Sequence, residues 1–379
     1  MNPIDAIYLH LPFCGHICPF CAFAVRVDDR AKHESYLQAL RLERQFLEEK
    51  FTPDFTHSRS LYLGGGTPSK MSLAELEGLL QDLENWMGHL PPMISLEANP
   101  EDINLEYAQG LWSMGINRVS LGTQSMDDGL LLQMERKHNA QANLKAWEAL
   151  RQAGFRDLNL DFLFGLPGQT LAQFTHDLEC FISWEPEHLS LYLLNMEERS
   201  KIAKRPNWKN WLHDQEDLLS DWYRQGALRL EQAGLKQYEV SNFAKPGFES
   251  IQNISNWERK NYLALGQGAH GFVAPLRYGN QGQWAQYQSA LRQGSLPHAY
   301  LEQLTPLEER EEELMIALRM RKGLPLDWFE EQGEVAAQAF KILLEEGLAE
   351  KAKQNYRLTL DGLLVADEVT AWLANKVFL

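Results

Sequence analysis

The chain has 379 residues, of which 44% are hydrophobic, which is enough for one large domain with a buried core and a smaller second domain. Its formal net charge of -16 at pH 7 argues against nucleic acid or an anionic membrane surface as a partner, because both are bound through basic faces. No apolar run approaches the roughly 18 residues of a membrane-spanning helix, and the N-terminus lacks the pattern of a signal peptide, so we expect a cytoplasmic protein without an integral membrane segment.

Short β-rich segments alternate with helical patterns along most of the chain, which predicts repeated βα units around a parallel sheet. The predicted strands are Ala6–Leu11, Ser60–Leu63, Ile94–Glu97, Arg118–Leu121, Leu158–Phe164, His188–Leu194 and Gln237–Ser241. The predicted helices between them include Glu34–Lys50, Ser72–Trp86, Ala140–Ala153 and Leu171–Ile182. This α/β pattern favours a complete or partial (β/α) barrel over a doubly wound sheet, although periodicity alone leaves both open.

Three of the four cysteines lie close together with CxxxCxxC spacing, directly after the first predicted strand: Cys14, Cys18 and Cys21. Three thiolates with no fourth nearby would leave one iron of a [4Fe-4S] cube open to a substrate or cofactor. A structural zinc site is the main alternative, because His10 and His16 flank the cysteines and zinc accepts three cysteines and one histidine. No second Cys or His pair with zinc-knuckle spacing follows, which favours the cluster, and a disulfide framework is disfavoured in a chain of this length.

Residues unusual for a core stand near the ends of several predicted strands, where barrel enzymes place their chemistry. Gly64–Pro68 follows the second strand, and its glycines either let the backbone approach a ligand or form a plain tight turn. Glu97 ends the third strand and Gln124 follows the fourth. Asp161 lies among apolar residues of the fifth strand, where a carboxylate is costly without a partner or ligand, so it is a site candidate.

The segment after residue 300 has the pattern of a separate, mostly helical domain. Thr305–Glu309 begins a helix with proline in its first turn, and the helical pattern continues to Met320. A two-stranded wing is predicted at Leu348–Leu358, as in winged-helix domains. Acidic side chains outnumber basic ones in this segment, so we expect it to pack against the barrel or dock a protein rather than bind DNA.

Longer motifs accompany the cysteine spacing and the glycine turn: Tyr8–Cys14, Glu97–Pro100, Arg118–Ser125, Leu160–Thr170 and Gly266–Gly271. Together they resemble the radical S-adenosylmethionine superfamily and, within it, the oxygen-independent coproporphyrinogen dehydrogenase group, which includes the HemW-type heme chaperones. The resemblance implies a partial (β/α)6-type radical SAM barrel over residues 1–245. It further implies a connecting segment over residues 246–300 that closes the barrel mouth, and a C-terminal winged-helix-like domain over residues 301–379.

The resemblance also implies a [4Fe-4S] cluster held by the three clustered cysteines, with S-adenosylmethionine bound at the open iron. The expected cofactor contacts are Tyr8, Phe20, Gly65, Gly66, Thr67, Glu97, Gln124, Arg136 and Asp161. Arg136 suits a carboxylate because guanidinium is a planar, bidentate donor. Without the family pattern, Arg136 would be interpreted as a solvated helix charge.

Two sequence features indicate whether the chain is more similar to the dehydrogenases or to the HemW-type chaperones. The dehydrogenases resemble CxxxCxxCxC, whereas Phe23 stands at the last of these positions, as the aromatic residue does in the HemW pattern. HemW proteins also resemble one another in a His-Asn-x-x-Tyr-Trp heme motif, in which this chain keeps Asn253 and Trp257 but has Gln252 and Asn256 in place of the histidine and tyrosine. An amide is a poor ligand for heme iron. Residues that could replace the histidine are Cys180, His213, His270 or a methionine.

The resemblance therefore implies a heme chaperone that transfers heme to an acceptor protein. The alternative is a coproporphyrinogen dehydrogenase or another tetrapyrrole-modifying radical SAM enzyme, with Phe23 arguing against the dehydrogenase. Expected partners are heme or another tetrapyrrole, an acceptor protein, and a reductant such as flavodoxin or ferredoxin, with no nucleic acid. The tryptophan-containing linker over Asn195–Asp214 departs from the family composition and is either a lid over a tetrapyrrole or a surface excursion.

Overall fold

The computed structural model describes residues 1–331 and 333–378. Its strands are β1 (Asn2–Pro3), β2 (Ala6–Leu11), β3 (Phe13–Cys14), β4 (Arg26–Val27), β5 (Pro53–Asp54), β6 (Ser60–Gly65), β7 (Met93–Ala98), β8 (Arg118–Gln124), β9 (Asp157–Phe164), β10 (His188–Leu193), β11 (Lys236–Gln237), β12 (Asn242–Ala244), β13 (Tyr262–Leu265), β14 (His270–Val273), β15 (Leu276–Asn280), β16 (His298–Gln303), β17 (Leu324–Pro325), β18 (Ala349–Ala352) and β19 (Asn355–Leu358). Its α-helices are α1 (His33–Phe51), α2 (Leu73–Met87), α3 (Leu105–Ser113), α4 (Asp128–Gln133), α5 (Ala140–Ala153), α6 (Leu171–Ser183), α7 (Pro206–Asp214), α8 (Glu216–Gln232), α9 (Ile251–Trp257), α10 (Trp284–Arg292), α11 (Pro306–Ala317), α12 (Leu326–Glu331), α13 (Glu334–Glu345), α14 (Leu360–Leu364) and α15 (Ala366–Val377).

The parallel part of the main sheet follows the chain strand by strand, in the order β2-β6-β7-β8-β9-β10. These are the first six predicted strands, and α1, α2, α5 and α6 are the four predicted helices, so both sets are confirmed. A sheet that winds in one direction without reversing its strand order is the arrangement of a (β/α) barrel rather than of a doubly wound sheet. The sheet is not closed, because β10 pairs with β12 on its free side and β2 pairs with β13.

The predicted strand Gln237–Ser241 is wrong. The chain turns back within it, so that β11 and β12 form an antiparallel pair and β12 lies antiparallel to β10. The strand that pairs in parallel with β2 on the other edge is instead β13. It was not predicted because it has only four residues, directly before Gly266. Antiparallel strands β14, β15 and β16 extend that edge, so residues 246–300 contribute strands to the main sheet.

Side chains alternate between the two faces of each parallel strand, and this alternation positions the site. In β2, Ile7, Leu9 and Leu11 are buried in the hydrophobic core beneath the helices. Tyr8 and His10 point to the opposite, inner face, where their hydroxyl and ring nitrogen lie 3.1 Å apart. Polar and aromatic residues therefore converge inside the barrel, while aliphatic residues form its wall.

The C-terminal region has its own hydrophobic core, formed by residues of α11, α13, α15 and the small β17-β19-β18 sheet. The predicted wing is confirmed as the β18–β19 hairpin, although α11 ends at Ala317 rather than Met320. Ion pairs join this region to the barrel: Arg259–Glu312 at 2.7 Å, Arg224–Asp361 at 2.6 Å and Lys322–Glu258 at 2.5 Å. None of the helices in the two described ranges combines the length and apolar character needed to cross a bilayer.

Candidate functional site

A cavity of about 640 Å³ lies on the inner face of the barrel, around the carboxyl ends of the parallel strands. Predicted site residues that line it are Cys14, Cys18, Phe20, Cys21, Gly65, Gly66, Thr67, Glu97, Gln124, Arg136 and Asp161. Tyr8 is not among the lining residues; its ring stacks on that of Tyr62 with the centroids 6.1 Å apart, and Tyr62 lines the cavity. The fold thus brings together residues that are far apart in the sequence.

The cysteine loop leaves β2 and is braced where β3 pairs in parallel with β4. Burial raises the pKa of the Cys14 thiol to about 12 and also raises the pKa of Cys21. Both thiols therefore keep their protons at neutral pH until a metal displaces them. Among the described residues, no group of three or more His, Cys, Asp and Glu side chains is arranged around a single metal position. Three thiols facing one cavity fit a cluster, in which each cysteine binds a different iron.

A chain of hydrogen bonds connects two of the cysteines. Thr67 Oγ1 donates to Cys14 Sγ at 3.5 Å, and Asn99 Nδ2 donates to Thr67 Oγ1 at 3.3 Å. Arg136 completes the chain, with Nη2 donating to Asn99 Oδ1 at 2.7 Å and Nη1 donating to Cys18 Sγ at 3.4 Å. The guanidinium is held by contacts within the site, so the interpretation of Arg136 as a solvated helix charge is wrong.

The glycine turn after β6 is pressed against the backbone of the cysteine loop. A Cβ atom on Gly66 would lie 2.6 Å from the Pro12 carbonyl carbon and 2.8 Å from the Leu11 oxygen. Gly65 has a φ of +107°, and its Cβ would lie 2.5 Å from the His10 ring. The glycines are thus required by close packing of two loops as well as by backbone conformation.

Two carboxyl groups, Glu97 and Asp161, face the cavity and are partly buried. Burial, together with the negative charge of the neighbouring Asp161, raises the pKa of Glu97 to about 7. Glu97 accepts hydrogen bonds from the Gly65 amide at 2.9 Å and the Tyr62 hydroxyl at 3.0 Å, while Asp161 accepts one from Asn159 Nδ2 at 2.8 Å. Such a pair suits a ligand with positive charge, because a bound cation would stabilise both ionised forms. The ammonium and sulfonium groups of S-adenosylmethionine fit this description.

Residues 8–181 match the family model of the Radical SAM superfamily, and residues 304–365 match that of the HemN C-terminal domain. The heme chaperone HemW of Bacillus subtilis strain 168 is 31% identical over 375 residues, which cover 97% of this chain and 98% of that protein. The heme chaperone HemW of Lactococcus lactis is 33% identical over 352 residues, which cover 92% of this chain and 90% of that protein. The chain belongs to the HemW family.

Membership in this family of radical SAM proteins implies a [4Fe-4S] cluster and S-adenosylmethionine as cofactors. The thiols, the paired carboxyl groups and Arg136 described above fit both groups. The solved structure of coproporphyrinogen III oxidase (HemN) from Escherichia coli, a radical SAM enzyme, aligns with a TM-score of 0.78 at 22% identity, covering 100% of this chain and 91% of that chain. At that identity the likeness shows the fold, which confirms the prediction of an α/β radical SAM barrel.

The altered heme motif of this HemW-family chain lies on α9. Gln252 is buried, with 4% of its surface exposed, and its Nε2 donates to Asn256 Oδ1 at 3.1 Å. The two replaced positions therefore pair with each other, one helical turn apart. Asn253, which the motif retains, faces the cavity instead and donates to the Tyr238 hydroxyl at 3.3 Å.

Polar residues of β9 and β10 form a wall of the cavity that was not predicted from the sequence. His188 is fully buried, with Nδ1 lying 2.6 Å from Asn159 Oδ1 and Nε2 lying 2.9 Å from the Tyr238 hydroxyl. Burial lowers the pKa of His188, so the ring is neutral at physiological pH. The signal was available in the sequence, since His188, Ser190 and Tyr192 alternate with leucines in β10 and all three line the cavity.

Proposed function

We propose that this chain is a heme chaperone, which binds heme and passes it to an acceptor protein, with a [4Fe-4S] cluster and S-adenosylmethionine bound in the barrel cavity. The observation that carries the proposal is the similarity to the Bacillus subtilis heme chaperone over almost the whole of both chains. Phe23 supports it, because the dehydrogenase pattern has a cysteine at that position. We place the chain in the cytoplasm, with flavodoxin or ferredoxin as the reductant.

Different residues of the cavity would hold the cluster and S-adenosylmethionine. Cys14, Cys18 and Cys21 would hold the cluster, and Glu97 and Asp161 would attract the positively charged end of S-adenosylmethionine. Once reduced, the cluster supplies the electron that cleaves S-adenosylmethionine in this superfamily. Arg136 orients the cluster loop through Cys18 and Asn99, and the mostly aliphatic cluster against which Phe20 packs excludes water from the site.

Heme binding is the first prediction of this proposal. The anaerobically reconstituted chain is expected to bind heme with saturable absorbance changes, because the relatives that match its full length are named heme chaperones. A titration followed by visible absorbance measures this. Failure to saturate, together with formation of methionine and 5′-deoxyadenosine that porphyrinogens stimulate, would favour the enzymatic alternative instead.

The variant Gln252→His restores the motif histidine and serves as a comparison in the same titration. Gln252 is buried, is paired with Asn256 and does not line the cavity, so an imidazole at this position would not face the cavity. We therefore expect similar heme affinity for the variant and the unmodified chain. Binding by the variant alone would mean that the unmodified chain has lost heme handling.

The affinity for S-adenosylmethionine is expected to depend on pH through Glu97. Burial raises the pKa of Glu97 to about 7, and a cationic ligand favours the ionised carboxylate. Binding should therefore be tightest above pH 7 and weaken by up to about tenfold per pH unit below it, as one proton must be lost on binding. Calorimetric titration of the reconstituted protein on either side of pH 7 measures this.

The variant Glu97→Gln cannot ionise and should lose most of that pH dependence. Glu239→Gln is a matched control, since burial also raises the pKa of Glu239 to about 7 but its side chain does not line the cavity. An undiminished pH dependence in Glu97→Gln would show that Glu97 does not contact the ligand.

A further inference from the structure

The residues that could replace the missing motif histidine lie in different parts of the structure. Cys180 lies on α6 in the outer layer of helices, with its Sγ 3.6 Å from His176 Nε2. His213 lies on α7, outside the residues that line the cavity. His270 is the first residue of β14, directly after the glycine turn that leads out of β13. Of these three, His270 belongs to the main sheet.

Histidines around the inner face differ in which ring nitrogens are occupied. His10 and His188 each place both nitrogens within hydrogen-bonding distance of partners. His16 lies in the cysteine loop, with Nε2 3.3 Å from a carboxylate oxygen of Glu135. His270 uses Nδ1 for the Tyr300 hydroxyl at 2.9 Å, and across residues 1–331 and 333–378 its Nε2 has no hydrogen-bond partner. The His270 side chain is exposed, so Nε2 is open to a ligand.

The strand register places His270 on the same face as the cofactor cavity. Tyr8 lies in register with Tyr62, which lines the cavity, and on its other side with Ala264 of β13. The pairing of β13 with β14 then sets His270 opposite Ala264. Since residues in register point to the same face, the inner surface continues past a small alanine to His270. His270 therefore lies at the open side of the barrel, beside the cavity rather than within it.

A glycine allows His270 to be held in a fixed orientation. His270 lies opposite Gly279, and Gly279 lies opposite Tyr300 on the next strand. A Cβ atom on Gly279 would lie 2.7 Å from His270 Nδ1 and 2.4 Å from Tyr300 Cε1, so only glycine lets these two side chains meet. The preceding turn is anchored by the buried Glu43, which accepts from the Gly266 amide at 2.8 Å. A hydrogen bond to the second ring nitrogen, such as the one between His270 Nδ1 and the Tyr300 hydroxyl, orients a metal-binding imidazole.

The surroundings of His270 suit a flat, apolar and anionic ligand. Phe23 is 71% exposed and lines the edge of the cavity. Ala24, the next residue, packs against Gly268, whose Cβ atom would lie 2.3 Å from that of Ala24. This contact places Phe23 beside the turn that leads to His270. Partial desolvation of the ring and the positive charges of Arg199 and Arg277 lower the pKa of His270, which keeps its lone pair available at neutral pH. Arg277 is already paired with Glu312, whereas Arg199 is exposed and has no ion pair in the described part of the chain.

We infer that His270 Nε2 is an axial ligand of heme iron, with the porphyrin ring lying against Phe23 at the open side of the barrel and a propionate near Arg199. The inference rests on the proposed function and locates its heme site. Arg199 belongs to the linker after β10, which also contacts the cysteine loop where the Ile202 amide donates to the Pro19 oxygen at 3.0 Å. With heme bound in this way, the linker would cover the ring, which corresponds to the lid alternative for Asn195–Asp214.

The test compares heme titrations of the anaerobically reconstituted full chain, of His270→Ala, and of His176→Ala as a matched control on the outer helices. We expect His270→Ala to bind heme at least about tenfold more weakly and to lose the spectrum of imidazole-ligated iron. Added imidazole should restore that spectrum, and His176→Ala should resemble the unmodified chain. An unmodified cluster spectrum in each variant shows that the fold is intact.

The outcomes distinguish a wrong assignment of His270 from a wrong proposal of heme-chaperone function. If the unmodified chain binds heme and His270→Ala binds it with the same affinity and spectrum, the assignment of His270 is wrong and the chaperone proposal stands. If the unmodified chain binds no heme, both fail. Tyr300→Phe gives a second measurement, since it keeps the ring but removes the hydroxyl that orients His270. We expect it to weaken heme binding by about tenfold, with His270 ligation retained in the spectrum.

Discussion

Single replacement of Cys14, Cys18 or Cys21 by alanine is expected to prevent stable assembly of the [4Fe-4S] cluster. The three thiols line one cavity, and with one removed a second iron of the cube would have no protein ligand. The effect should be close to complete loss of bound iron and sulfide after anaerobic reconstitution. Chemical analysis of both elements, with the visible absorbance of the cluster, measures it.

Cys180→Ala is the matched control for these variants. Cys180 lies on α6 with its sulfur beside His176, and it is not among the residues that line the cavity. It should retain full iron and sulfide content. Normal cluster content in all three single variants would contradict the assignment, and stoichiometric zinc in the unmodified chain would favour the structural zinc alternative.

Gly66→Ala is expected to lose the cluster nearly as completely as the cysteine variants do, although no ligand is removed. The new Cβ would lie 2.6 Å from the Pro12 carbonyl carbon and 2.9 Å from the Phe13 amide nitrogen. These are backbone atoms of the cysteine loop, which cannot turn aside as a flexible side chain can, so the loop carrying Cys14 must move. Loss of packing at this contact should also lower the melting temperature.

Gly78→Ala is the control for the added methyl group. Gly78 lies in α2, and apart from its chain neighbours and the backbone of its own helix no atom lies within 4 Å of the position that its Cβ would take. Alanine in a helix interior is favoured over glycine by about 1 kcal/mol, so this variant should be at least as stable as the unmodified chain and should retain the cluster. A Gly66→Ala variant that assembles a normal cluster would show that the loop tolerates displacement.

Local patterns in the sequence were sufficient for much of the barrel and for the cysteine loop. The strands β2 and β6 to β10 were predictable because aliphatic residues alternate or cluster over short segments bounded by glycine, proline and helix caps. The CxxxCxxC spacing is itself local, and Asp161 stood out as a carboxylate among apolar neighbours. Each of these signals lies within a few consecutive residues.

Contacts between distant segments could not be predicted in the same way. Arg136 lies in a charged stretch that is typical of a solvated helix, and only the fold places its guanidinium against Cys18, 118 residues earlier. Tyr8 has the motif position of a cofactor contact, yet its ring stacks on that of Tyr62 from the adjacent strand, and Tyr62 lines the cavity while Tyr8 does not. The antiparallel turn at Gln237–Ser241 likewise depends on the free edge of β10.

Residue types at fixed spacings were sufficient to predict the class of the protein, its cofactor chemistry and the absence of the motif histidine. Only the tertiary structure showed that Gln252 and Asn256 pair with each other, that Gly66 supports the cysteine loop, and that His270 and Tyr300 meet across Gly279. The physical reason is that strand register and strand order bring together side chains from distant segments, and the local sequence of one segment does not indicate which other segment it will contact.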